Sequence, residues 1–128
     1  LVLLFLIGSL VLIQCKKDEG PVEDDNNNES VSFANDVQPI FTQYCVSCHP
    51  SSGNLDLRQG QAYDDLVNVP ASGYNGIRVV PNEPENSILY KKIDGSGAYG
   101  SNMPLGGSLS QAQINTIKQW IQEGAPNN

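Results

Sequence analysis

Five residues near the middle of the chain, Cys45-Val46-Ser47-Cys48-His49, limit what it can fold into more than any other stretch. Two thiols spaced i, i+3 on a helical turn face the same side. An imidazole at i+4 from the first thiol follows about 6 Å along the axis. This C-x-x-C-H spacing is the attachment pattern of a c-type haem. Cys45 and Cys48 add across the two vinyl groups of one porphyrin edge, and His49 is directed under the iron as the proximal metal ligand. A chain built on this segment has to fold around a flat, mainly apolar group.

The same five residues bear two other chemistries less well. Zinc takes four ligands and usually a second Cys/His pair, whereas the chain has one histidine and three cysteines. A thioredoxin-type C-x-x-C calls for a βαβ setting, and no alternating strand pattern of useful length is present.

A haem needs a second axial ligand. Met103 is the only methionine, set before Pro104 in the Gly-rich run Gly95–Pro104. A lone methionine is often a core filler, but a flexible Gly-rich loop is a poor place for core packing, and the Met-Pro step holds the thioether on a defined backbone. With His49, Met103 gives the imidazole/thioether pair that raises a haem's reduction potential. With no second histidine, bis-histidine ligation is ruled out.

The ends of the chain bear on where it works. Leu1–Ile13 is almost wholly apolar, too short for a comfortable transmembrane helix and matched to the apolar region of a signal peptide. Neither an initiator Met nor a basic segment precedes it, so the true start is expected upstream of Leu1. Cys15 directly follows Leu12-Ile13-Gln14, which resembles a bacterial lipobox whose cysteine becomes the lipidated N-terminus. Gln14 departs from the small residue usual there, and a simple secreted protein or an uncleaved anchor is the alternative. Residues 16–30 hold Asp18, Glu19, Glu23, Asp24, Asp25 and Glu29 without apolar periodicity, the mark of a self-repelling tether. The Lys16-Lys17-Asp18-Glu19 run also resembles a surface-export signal of some Bacteroidetes lipoproteins. The expected organisation is a signal peptide over 1–14, a lipidated cysteine and disordered tether over 15–30, and one domain over 31–128. The location is then outside the cytoplasm, lipid-anchored in the periplasm, at the outer membrane or at the cell surface. With 14 carboxylates against 7 basic groups, the chain is not suited to nucleic acid.

Three helical stretches are legible in the domain. Val37, Ile40, Phe41 and Tyr44 form an i, i+3, i+4, i+7 stripe running into the motif, with Asp36 as expected N-cap and Pro39 in the first turn. A second helix is expected from Asn82-Glu83-Pro84-Glu85, burying Ile88, Leu89 and Ile93. The last is capped by Ser110, boxed by Gln113 and stapled by Leu109 onto Ile114. It carries Ile117, Trp120 and Ile121 and stops at Gly124. A short turn near Gln61–Val67 adds a fourth. The intervening Gly- and Pro-rich loops are too long and polar to pack alone. The fold class expected is therefore all-α, three to four short helices and loops organised by one covalent haem c.

From Phe33 to Ala125 the chain resembles the small class I-type cytochrome c domains of the planctomycete-type cytochrome C family. The resemblance rests on Asp36-Val37-x-Pro-Ile-Phe, Cys45-x-x-Cys-His and Gly53-Asn-Leu-Asp-Leu, followed by Val80-Pro-x-x-Pro-x-x-Ser87-x-Leu-Tyr, Met103-Pro and Trp120-Ile-x-x-Gly-Ala125. It implies a cytochrome c-like fold whose first and last helices cross near the haem edge. Two departures are Leu105, where the family often has a second Pro, and an enlarged Ala71–Asn75. Neither touches a ligand. Buried propionates need donors, for which Arg78, Arg58, Tyr99 and Trp120 are candidates, with core packing the alternative for Trp120. A backbone carbonyl, not identifiable from sequence, is expected to orient the other nitrogen of His49.

The function expected is single-electron transfer by a monohaem cytochrome that is not an enzyme, takes no small-molecule substrate, meets a redox partner protein and reaches the membrane through its lipid anchor. The alternative is a haem enzyme or gas-sensing module with an open or labile distal position. The absence of a distal histidine base counts against peroxide chemistry.

Overall fold

A computed structural model describes residues 29–128; the apolar segment 1–14, Cys15 and the tether up to residue 28 lie outside the described residues. The described residues form four α-helices and no strand, with only isolated bridges such as Val67–Val79 and Ile77–Ser87. The domain is all-α, as expected. No helix among the described residues is long and apolar enough to cross a membrane.

The first helical segment opens at Ser32, not at Asp36. The Ser32 hydroxyl accepts from the Asn35 amide at 3.2 Å, and the Asp36 carboxylate accepts from the Ser32 amide at 2.8 Å. Asp36 thus closes the cap from inside the first turn. Phe33–Val37 is wound as a π turn, in which the Gln38 amide reaches back to the Phe33 carbonyl. Pro39 explains the widening: it lacks an N–H, and its ring crowds the carbonyl four residues back. Helix α1 (Gln38–Tyr44) follows, with Pro39 in its first turn.

Helix α2 (Ala62–Leu66) buries Ala62 and Leu66. The next element differs from the continuous helix expected from Asn82. Pro84–Asn86 is a single 3-10 turn, Ser87 is extended, and α3 (Ile88–Ile93) starts only after it. The fully buried Ser87 hydroxyl accepts from the Val80 amide at 2.8 Å and donates to the Glu83 carbonyl at 2.9 Å. A hydroxyl that satisfies nearby backbone competes with helix bonds, and here it divides the helix in two. Ile88 and Ile93 are buried as expected and Leu89 half-buried.

Helix α4 (Gln111–Gln122) has the capping box the sequence predicts, Gln113 amide to Ser110 hydroxyl at 3.3 Å and Ser110 amide to Gln113 Oε1 at 2.8 Å. Gly124, at φ +94°, ends it. The Gly124 amide bonds the Ile121 carbonyl and the Ala125 amide bonds the Trp120 carbonyl, a Schellman closure that requires a left-handed residue between. The tail then returns to the other end of the domain: the Ala34 amide donates to the Asn128 carbonyl at 2.9 Å and the Phe33 amide to Asn128 Oδ1 at 2.8 Å. One apolar core results, in which Phe33, Val37 and Phe41 meet Leu66, Val79, Ile117, Trp120 and Ile121. The Phe33 ring centroid lies 5.1 Å from that of Trp120 and 5.3 Å from that of Tyr63.

Candidate cofactor site

Helix α1 presents the C-x-x-C-H segment at its C-terminal end. Ile40 and Phe41 fix the helix in the core, and the Cys45 and Val46 amides both bond the Phe41 carbonyl, at 2.8 and 3.0 Å. Beyond them the chain makes one further turn. The amides of Cys48 (3.1 Å) and His49 (2.9 Å) converge on the Cys45 carbonyl. The i+3 and i+4 spacings are therefore realised as hydrogen-bonded turns just past the helix. Cys45 is half-buried against the core, whereas Cys48 is exposed.

His49 has a defined orientation. Its Nδ1 lies 2.8 Å from the Ser52 carbonyl oxygen. A carbonyl only accepts, so Nδ1 carries the proton, and in the neutral ring Nε2 then keeps its lone pair, the arrangement a metal-ligating imidazole requires. The Leu57 amide donates to the His49 carbonyl at 2.7 Å and fixes the backbone. Ser52 belongs to a tight turn in which Gly53 takes φ +69°.

Arg78 braces this turn from inside. It is buried, and its guanidinium donates to the carbonyls of Asn54 (2.7 Å) and Asp65 (2.7 Å). Among the described residues no carboxylate pairs with it; the Asp65 carboxylate is instead taken by the Asp56 amide at 2.8 Å. A buried cation without a counter-charge is costly, and part of its five-donor fork stays unspent.

The remaining donor candidates fare differently. Trp120 is fully buried and its single N–H goes to the Pro126 carbonyl at 2.9 Å, so the indole has no donor left for a propionate. Arg58 is exposed and forks onto Asp56. Tyr99 is half-buried and packs edge-on against Tyr74, with ring centroids 5.4 Å apart.

Met103 is half-buried and packs against the same core cluster that Cys45 borders. Its amide donates to the Lys92 carbonyl at 2.7 Å. The donor chemistry is two thiols, one imidazole Nε2 and one thioether, a soft set that fits haem iron and its attachment. Among the described residues no group of three or more His, Cys, Asp or Glu is assembled that could hold a bare metal ion.

Burial, and after it the neighbouring Cys48 sulfur, push the Cys45 thiol up to about 11. The folded chain thus favours the neutral thiol. This contribution to stability is present below the ordinary thiol pKa and is lost as pH rises toward about 11. Forming a thioether removes the ionisable group altogether. In reduced, haem-free protein at pH 8, iodoacetamide should alkylate Cys48 at least about tenfold faster than Cys45, because the thiolate is the nucleophile. Both cysteines lie on one tryptic peptide, Asp18–Arg58, so tandem mass spectrometry that localises the label within it reads both rates, and equal rates would mean that this turn is not packed on the core.

The Ser52 carbonyl and Lys92 carry no signal in the sequence, since a main-chain acceptor has no residue identity and Lys92 belongs to no motif. No protein-family model, curated protein or solved structure matches the chain.

Proposed function

We propose that residues 31–128 form a cytochrome c-like domain with one haem c, attached at Cys45 and Cys48 and ligated by His49 and Met103, and that it carries single electrons to or from a redox partner protein. The observation that carries this reading is the Nδ1–Ser52 bond, which leaves Nε2 of a C-x-x-C-H histidine as its free nitrogen. When bound, the haem supplies an Fe(III)/Fe(II) couple that gains or loses one electron. The residues do the rest. Cys45 and Cys48 hold the group in place on one turn, Ser52 and Leu57 fix the imidazole through their backbones, and Met103 supplies the soft ligand that favours the reduced state. Arg78 offers its unspent donors to a propionate, which would neutralise its buried charge. On this reading the protein is not an enzyme. The apolar leader and Cys15 make it an exported lipoprotein, anchored in the periplasm, at the outer membrane or at the cell surface.

A second reading, a haem enzyme or gas sensor with a labile distal position, draws on the exposure of the loop around Met103: from Gly95 to Ser108 every residue but Tyr99, Met103 and Pro104 is exposed. Optical spectroscopy separates the two. The ferric protein should display the far-red methionine–haem charge-transfer band, and Met103→Ala should abolish it and lower the reduction potential. A high-spin spectrum in the unsubstituted protein would favour the second reading.

A further inference from the structure

Lys91 and Lys92 are neighbours at the end of α3, yet their side chains serve different ends. Lys91 pairs with the carboxylates of Glu85 and Asp94. Lys92 has no carboxylate partner among the described residues. Its ammonium donates to the carbonyls of Ser101 (2.8 Å) and Tyr99 (3.0 Å), with the Tyr74 hydroxyl at 3.4 Å and the centre of the Tyr74 ring at 5.3 Å. Tyr74 in turn packs on Tyr99. The Lys92 carbonyl meanwhile accepts the Met103 amide.

One residue therefore grips the Met103 loop at three points, two through its side chain and one through its backbone. The loop has few other ties. Apart from bonds within residues 95–107 and the bond from Ser96 to Asp94 at its root, the hydrogen bonds joining these residues to the rest of the described domain end on Lys92. The sequence from Gly95 to Ile117 contains no charged residue, so no ion pair within it can substitute.

We infer that Lys92 is a positioning residue for Met103: its ammonium clamps the loop carbonyls so that the thioether is kept at the iron and the distal side stays closed. This rests on the reading of Met103 as an axial ligand. Without the ammonium, the Tyr99 and Ser101 carbonyls bond water, and the loop opens more often.

The test uses the haem-loaded protein and exogenous imidazole, which binds ferric iron only by displacing Met103. Lys92→Met should raise the apparent imidazole affinity about tenfold or more, the scale expected for losing a charge-assisted hydrogen bond. The far-red band should weaken while covalent haem and helix content are retained. Lys92→Arg, which keeps the charge and the donors, should restore most of the closure. Lys118→Met makes the same charge change on α4, where the ammonium lies 3.4 Å from the exposed Glu85 carboxylate, and should stay within about twofold of the unsubstituted protein, as exposed ion pairs contribute little. An unchanged affinity and band in Lys92→Met would overturn the inference. Should Lys92→Met not load haem, Tyr74→Leu leaves the lysine in place and removes the ring and hydroxyl beside its ammonium, together with the edge contact on Tyr99. It should shift affinity in the same direction by about twofold to fivefold, and no shift would overturn the inference equally. Failure of the underlying reading looks different: Met103→Ala would then leave the band and the imidazole affinity where they were.

Discussion

Replacing both thiols, in Cys45→Ala with Cys48→Ala, should remove covalent haem completely. In the proposed attachment each cysteine supplies one thioether, so either single substitution should leave one bond and the double substitution none. His49 keeps its tether to the Ser52 carbonyl in the double variant, so haem that still binds does so by coordination alone. It should be extractable into acidified organic solvent and absent from the protein band on a denaturing gel stained for haem. Covalent haem in the double variant would refute attachment at this motif.

The same variant tests what the cofactor organises. A covalently held haem is present on the unfolded chain as well, so what it adds to stability is the burial of its apolar surface and the ligation it gains on folding. Its loss should fall unevenly. Helices α1 and α4 share a core that includes Phe33, Phe41, Ile117 and Trp120, whereas residues 95–108 bury little of their own surface. Hydrogen exchange should therefore rise most in that loop and in the turn that holds Ser52. Unchanged protection there would mean that the loops are ordered without the haem.

The parts legible in the sequence are those decided by neighbours along the chain. Ser110, Gln113 and Gly124 specify both ends of α4 because capping and the left-handed stop act within a few residues. The two thiols and His49 are likewise set by one turn. What the sequence misled on was decided by contacts that periodicity does not record. Pro39 widens the start of the first helix and shifts its cap to Ser32. The Ser87 hydroxyl reaches Val80 and divides the second helix. Trp120 and Arg58 carry the right donors for a propionate, but Pro126 and Asp56 take them. Arg78 reads no differently from Arg58 in the sequence; only its burial without a carboxylate distinguishes it.

Trp120→Ala should cost about 3–5 kcal/mol, the range for emptying a buried aromatic site, against a total of about 5–15 kcal/mol for a domain. The indole is fully buried and packs against Phe33 and Tyr63, whose ring centroids are 5.1 and 6.4 Å away. Its truncation removes an aromatic contact between the first helical segment and the last and leaves the Pro126 carbonyl without its donor. Trp120→Phe keeps most of the packing and loses the N–H, so about 1–2 kcal/mol is expected. Urea unfolding of the haem-loaded proteins reads both. The pair also distinguishes a core residue from a cofactor contact. If Trp120 acts only through packing, Trp120→Phe lowers the unfolding midpoint while the haem spectrum and reduction potential stay unchanged. A shift in potential without a comparable loss of stability would instead place the indole in contact with a propionate and make the Pro126 bond secondary.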